Sequence, residues 1–129
     1  LDALQRWTAL EKAVSRLEVD TTRMSAELAD PDFVLAHSLI ENHYFRHHGF
    51  IDGDSILKQA AETLAEIQID LVTSRYDIVC PPQTAFDFAR AVPHTNLTVV
   101  PDAGHTWRDP SNTQALLAAL NPHLLKDIP

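Results

Sequence analysis

Asp77 and His105 are the residues whose types and spacing point most directly to chemistry. A carboxylate beside an imidazole fixes the ring's tautomer, and it stabilises the imidazolium formed when the ring takes a proton from a hydroxyl nucleophile. Asp77 lies in Ser74-Arg75-Tyr76-Asp77-Ile78-Val79-Cys80-Pro81, and His105 ends Pro101-Asp102-Ala103-Gly104-His105, 28 residues later. Gly104 is expected to relax the backbone beside His105. A plainer alternative has Asp77 making only turn hydrogen bonds and His105 capping a loop. Cys80 is a nucleophile by residue type, yet no local signature surrounds it, and a lone cysteine commonly serves as a small buried hydrophobe. His43 and His47 stand at a helical spacing that could hold a metal, but without a third ligand arranged as in H-E-x-x-H they read as ordinary histidines. No metal and no cofactor is expected.

Such chemistry needs a scaffold that brings two loops together. Ile69 to Thr73 is short, apolar and bounded by polar residues, as in a buried strand, and Leu97 to Val100 is a second β-branched run ending at Pro101. Between them Pro81-Pro82 precedes a helix through Ala85, Phe86, Phe88, Ala89 and Ala91. Strand, crossover helix and parallel strand form a βαβ unit, so both loops follow strand carboxyl ends, where open α/β sheets carry their functional groups. A last helix is expected over Ser111 to Leu120.

Upstream the rhythm is helical. Ala3, Leu4, Trp7, Leu10, Val14 and Leu17 recur at spacings of three and four, predicting an amphipathic helix from Asp2 to Leu17 with Asp2 as a plausible cap. The polar stretch Glu18 to Arg23 interrupts the pattern. Asp30-Pro31 then opens a helix to about His47. Gly49 to Gly53 punctuates the chain, and Asp54 is expected to cap a helix with the stripe Ile56, Leu57, Ala60, Leu64 and Ile67. Two strands make a poor sheet when typical sheets hold about 5–6. Residues 1–52 therefore read as one helical subdomain, and residues 53–129 as the closing part of a larger α/β sheet whose open edges need a partner.

The chain has 129 residues, 10 Lys+Arg against 18 Asp+Glu, a formal charge of −8 and 45% hydrophobic residues. This suits one globular unit, since domains most often run about 100–150 residues. The negative balance, with no basic block to offset it, argues against nucleic-acid and membrane binding. Apolar runs are too short to cross a bilayer and nothing at the start resembles a signal peptide, so a cytoplasmic setting is expected. One cysteine excludes an internal disulfide. The isolated Gly49, Gly53 and Gly104 exclude a Gly-rich phosphate loop and a Gly-x-Ser-x-Gly elbow within these residues. The start at Leu1, with the sole methionine at Met24, suggests a fragment.

Ile40-Glu41-Asn42-His43-Tyr44-Phe45, then Arg75 to Pro81, then Pro101 to His105, in this order, resemble the proline iminopeptidases. These prolyl aminopeptidases are α/β hydrolases with a helical cap that remove N-terminal proline from peptides. The resemblance covers nearly the whole chain and corresponds to the family's second half. It implies that Asp77 and His105 are the acid and base of a Ser, Asp, His triad. It further implies that Glu41 holds the substrate's free amino group, that Glu11 is the second cap glutamate, and that Phe45 and Cys80 line the proline pocket.

Spacing agrees in part, for Glu41 and Phe45 stand four apart on a predicted helix and share a face. A partly desolvated ammonium needs carboxylates to offset its lost hydration. Alternatively, Glu11 is a solvated helix residue, and Phe45 and Tyr44 are core aromatics. The chain departs from the family at Trp107-Arg108, where a small residue followed by an aromatic is usual. Ser15, Ser25, Ser38, Ser55, Ser74 and Ser111 have no elbow context. The expected partners are a peptide with a free N-terminal proline and the missing N-terminal half of the hydrolase or an equivalent chain, without which the chain is inactive. Two other functions stay open: a non-catalytic module that binds peptide or protein, and an α/β hydrolase acting on other amides or esters.

Overall fold

The computed structural model describes residues 2–124. Helix α1 spans Asp2–Val14, α2 Thr21–Leu28, α3 Pro31–Arg46 and α4 Gly53–Thr63; strand β1 is Ile69–Ser74, α5 Pro82–Ala91, β2 Thr95–Val100 and α6 Pro110–Leu124. A 3₁₀ turn, His48–Phe50, follows α3. No helix among the described residues is long and apolar enough to cross a membrane.

The helical layer is organised by its caps. Asp30 Oδ1 accepts the N–H groups of Asp32 and Phe33 at 3.0 and 3.1 Å, while Pro31 occupies a first-turn position where a missing N–H costs nothing. The same device corrects the reading of Glu18 to Arg23 as an interruption. Asp20 Oδ1 accepts Arg23 N–H at 2.9 Å and opens α2, whose Arg23 and Glu27 pair at 2.8 Å. The polar composition belongs to a short surface helix laid against α1 and α3.

Helix α1 stops at Val14, short of the expected Leu17; Ser15 still donates its N–H and Oγ to the Glu11 carbonyl at 3.1 and 2.6 Å, but its own carbonyl is given to Thr106 N–H rather than to a further helical turn. Asp2 sits inside its first turn rather than ahead of it. Leu10 and Leu17, both assigned to the buried stripe by spacing, are 53% and 46% exposed. Thr8 and Ser38 are fully buried where α1 meets α3, their hydroxyls 3.1 Å apart, and Val34 of α3 is fully buried as well. In α4 the first residue is Gly53 and Asp52 holds the position before it, so Asp54 lies within the helix rather than capping it.

Strands β1 and β2 pair in parallel from Ile69↔Thr95 to Ser74↔Val100, with α5 as the crossover, which is the expected βαβ unit. β1 runs one residue past Thr73, and β2 begins at Thr95 rather than Leu97. The unstaggered register ends both strands at one level, so their loops emerge side by side. Helices α5 and α6 pack on both strands and α4 packs on α5. Val92, Val100 and Ala103 are buried there, whereas Ile67, Leu117 and Leu120 stay about half exposed. The result is a mixed helix-and-strand fold with a small parallel sheet, compatible with part of an α/β-hydrolase fold.

Candidate active site

The loop after β1 is shaped by Asp77 itself. Its N–H reaches the Ser74 carbonyl at 3.3 Å, and its Oδ1 accepts the N–H groups of Val79 and Cys80 at 3.0 and 2.7 Å. This local turn leaves Oδ2 facing the second loop, where it lies 3.0 Å from His105 Nδ1. Turn-making and imidazole contact, posed as alternatives from sequence, are performed by different oxygens of one carboxylate. Asp77's side chain is 10% exposed and that of His105 38%. An ionised carboxylate only accepts, so Nδ1 carries the proton in this pair, and in the neutral ring Nε2 presents its lone pair. A hydroxyl brought to Nε2 would find a general base already oriented.

The histidine loop is clamped from three sides. Arg75 N–H extends the parallel ladder to the Val100 carbonyl at 2.8 Å, and Tyr76 N–H reaches that of Ala103 at 3.2 Å, which ties the two loops together. From α6, buried Asn112 donates to the carbonyls of Gly104 and Thr106, both at 3.0 Å, while its Oδ1 accepts the Ser74 hydroxyl at 2.7 Å. From the α1–α2 connection, the Ser15 carbonyl accepts Thr106 N–H at 2.8 Å.

Gly104 corrects an expectation about mechanism, since its φ is not positive and conformational freedom is not what it supplies. A Cβ there would stand 2.9 Å from Leu17 N and 3.0 Å from the Arg16 carbonyl carbon. Glycine is required because another backbone passes against it. Its N–H donates to Asp109 Oδ2 at 2.8 Å. Asp109 is 7% exposed, so this carboxylate is held inside the fold against backbone donors rather than in solvent.

Asp109, Asn112 and Ser74 were not singled out from sequence. Asp109-Pro110 repeats the dipeptide that opens α3, a signal for the start of α6 but not for the buried carboxylate.

Cys80, Asp77 and His105 line one cleft of about 420 Å³ beside β1. Cys80 is exposed rather than the buried hydrophobe its residue type suggests; what desolvation it has, and secondarily the charge of Asp77, push its thiol above its ordinary pKa, favouring the protonated form over the nucleophilic thiolate. A second cavity of about 220 Å³ shares His105 and Trp107 with the first. Glu41, Glu11 and Phe45 line neither of these two cavities.

Glu41 and Phe45 are instead gathered by Trp7, whose Nε1–H donates to Glu41 Oε2 at 2.8 Å and whose ring meets Phe45 edge-on at 6.2 Å. His37 Nδ1 lies 3.3 Å from the same oxygen without hydrogen-bond geometry, leaving that buried nitrogen unsatisfied. Glu11, half-buried one turn beyond Trp7, makes no ion pair among the described residues. His43, His47 and Phe50 form a ring cluster at centroid distances of 4.9 to 5.4 Å, in which His47 stacks on Phe50 and the other pairs are tilted. Among the described residues no three metal-ligating side chains cluster.

No family model matches the chain. It is 40% identical over 119 residues to the proline iminopeptidase of Xylella fastidiosa strain Temecula1, covering 92% of this chain and 38% of that protein. The Arabidopsis thaliana proline iminopeptidase is 34% identical over 117 residues, 91% of this chain and 30% of its own length. One from Neisseria meningitidis serogroup A is 33% identical over 128 residues, 97% of this chain and 39% of its own length. The chain thus spans well under half the length of the curated relatives it matches.

Proposed function

Since this chain belongs to the proline iminopeptidase family, as a C-terminal portion of it, we propose that it supplies the acid–base half of a serine-type prolyl aminopeptidase of the α/β-hydrolase fold. Residues 1–52 then form part of the cap and residues 53–129 part of the core, in the cytoplasm. The observation that carries the reading is the 3.0 Å contact between Asp77 Oδ2 and His105 Nδ1, at the ends of two adjacent parallel strands. His105 Nε2 takes the proton of a serine hydroxyl as that oxygen attacks the prolyl carbonyl, and then gives it to the departing amine; Asp77 holds the ring and its positive charge throughout.

The serine and the oxyanion donors come from polypeptide outside these 129 residues, so the chain alone is inactive. Ser74 and Ser15 already donate to Asn112 and to the Glu11 carbonyl. The missing part also covers the free edges of the two-stranded sheet. Glu41 and Glu11 hold the substrate's amino group, with Phe45 and Cys80 against the proline ring. Glu41 keeps Oε1 for this, because only Oε2 is taken by Trp7. That same Trp7 bond favours a second reading, in which Glu41 braces the cap and the enzyme cleaves other amides or esters.

Complementation tests these readings. The chain is joined to the N-terminal part of the Xylella fastidiosa relative and assayed on proline 7-amido-4-methylcoumarin. The joined protein is expected to turn over where the chain alone does not, and Asp77→Asn to lower kcat by about 10⁴-fold. Turnover by the chain alone, or undiminished activity in His105→Ala, would refute the assignment. If neither Glu41→Gln nor acetylation of the substrate amine lowers the rate, the second reading takes over.

A further inference from the structure

The 220 Å³ cavity on the other side of His105 plays no part in the acid–base pair. Its wall carries four cations, Lys12, Arg16, Arg23 and Arg108, against two carboxylates, Asp20 and Glu27, in a chain of formal charge −8. The two carboxylates offset two of those charges. Asp20 caps α2, and Glu27 receives Arg23 at 2.8 Å and lies 3.7 Å from Lys12 Nζ. Arg16 has no ion-pair partner among the described residues, and Arg108 rests its guanidinium 4.6 Å over the Trp107 ring with no carboxylate to bond. Two positive charges are therefore left over in a concave site bordered by the imidazole. A guanidinium held on an aromatic face keeps a planar fork of donors suited to a carboxylate.

In acyl transfer the imidazole protonates the departing amine, so the residue that leaves must pass against His105. We infer that the cavity binds a carboxylate carried by that leaving residue, with Arg108 as its main ligand and Arg16 as the second. The favoured substrates are then prolyl dipeptides, through the C-terminal carboxylate, or peptides with Asp or Glu after the proline, through the side chain. The substrate assignment rests on the aminopeptidase reading; the cavity's preference for carboxylate does not.

The test needs no turnover. N-acetylglycine, N-acetylglycinamide and N-acetylaspartic acid α-amide are titrated into the ¹⁵N-labelled 129-residue chain while the Trp107 indole N–H resonance is followed, with Trp7 reporting that the fold is intact. At least one carboxylate probe is expected to bind about tenfold or more tighter than N-acetylglycinamide, in line with a charge-assisted pair. The N-acetylglycine arm reports the C-terminal source and the aspartyl arm the side-chain source. Arg108→Gln should abolish the difference and Arg16→Gln reduce it. Equal binding of all three probes, or an unchanged preference in a folded Arg108→Gln variant, overturns the inference. Failed complementation alongside intact carboxylate binding would sink the hydrolase assignment and leave the cavity's preference standing.

Discussion

Replacing Gly104 with alanine isolates the contact on which the histidine loop depends. The new Cβ would meet Leu17 N at 2.9 Å, the Arg16 carbonyl carbon at 3.0 Å and Arg16 Cα at 3.3 Å, all backbone atoms that no rotamer change can move aside. Overpacking of this kind costs about 1–3 kcal/mol. Because φ at Gly104 is not positive, alanine also restricts the unfolded chain and returns about 0.4–1 kcal/mol. The balance is a net loss of about 1.3 kcal/mol at the middle of these ranges, with an upper bound of roughly 2.6 kcal/mol, or about 5 °C in Tm at the middle value for a chain of this size. Gly53→Ala is the matched control, since nothing lies within 4 Å of its Cβ position. Thermal denaturation of both variants, with the His105 Nδ1–H proton followed by NMR, separates the cases. Gly104→Ala should melt lower and perturb that proton; Gly53→Ala should do neither. If the two variants melt alike and the proton is unmoved, the backbone contact does not constrain the loop.

Asn112→Ala leaves the Ser74 hydroxyl and two loop carbonyls short of a partner, and urea denaturation should show a loss of about 1–3 kcal/mol for each group left buried and unpaired. Trp7→Phe keeps a ring against Phe45 but removes the donor to Glu41; a destabilisation of about 1 kcal/mol is expected in the same assay. Cys80 should react slowly with iodoacetamide at pH 8. Asp77→Asn removes the charge that helps raise the thiol pKa, so more thiolate forms and alkylation should quicken severalfold, while burial, the larger cause, persists.

What was legible in the sequence was local. Asp30-Pro31 announces α3 because cap and first turn are neighbours in the chain, and the βαβ unit follows from two β-branched runs around a helical pattern. The loops bearing Asp77 and His105 could be placed because strand ends are visible in composition. α2 is not legible because it is only eight residues long and none of them is buried, so Met24, Ala26 and Leu28 trace no core-facing stripe, and periodicity is silent where no apolar face is buried. Asn112 and Asp109 were missed for another reason. Asn112 acts on Ser74 across 38 positions and Asp109 on Leu17 across 92, and nothing in an isolated Asn or Asp announces a distant backbone partner. Gly104 was noticed but explained by conformational freedom, when the crossing of another segment is the cause. Glu41 stands out only through the family resemblance, and its bond to Trp7 depends on α1 lying beside α3.

The stitch between Ser15 and Thr106 also constrains how the molecule can move. With Gly104 pressed on residues 16 and 17 and a 2.8 Å hydrogen bond one residue beyond His105, the end of α1 and the imidazole form a single mechanical unit. A swing of α1 is transmitted straight to the imidazole, so rocking at this joint would disturb its 3.0 Å contact with Asp77. Bending of the helical layer has to be absorbed elsewhere, as in the left-handed reversal at His48, Gly49 and Phe50, which lies outside that unit.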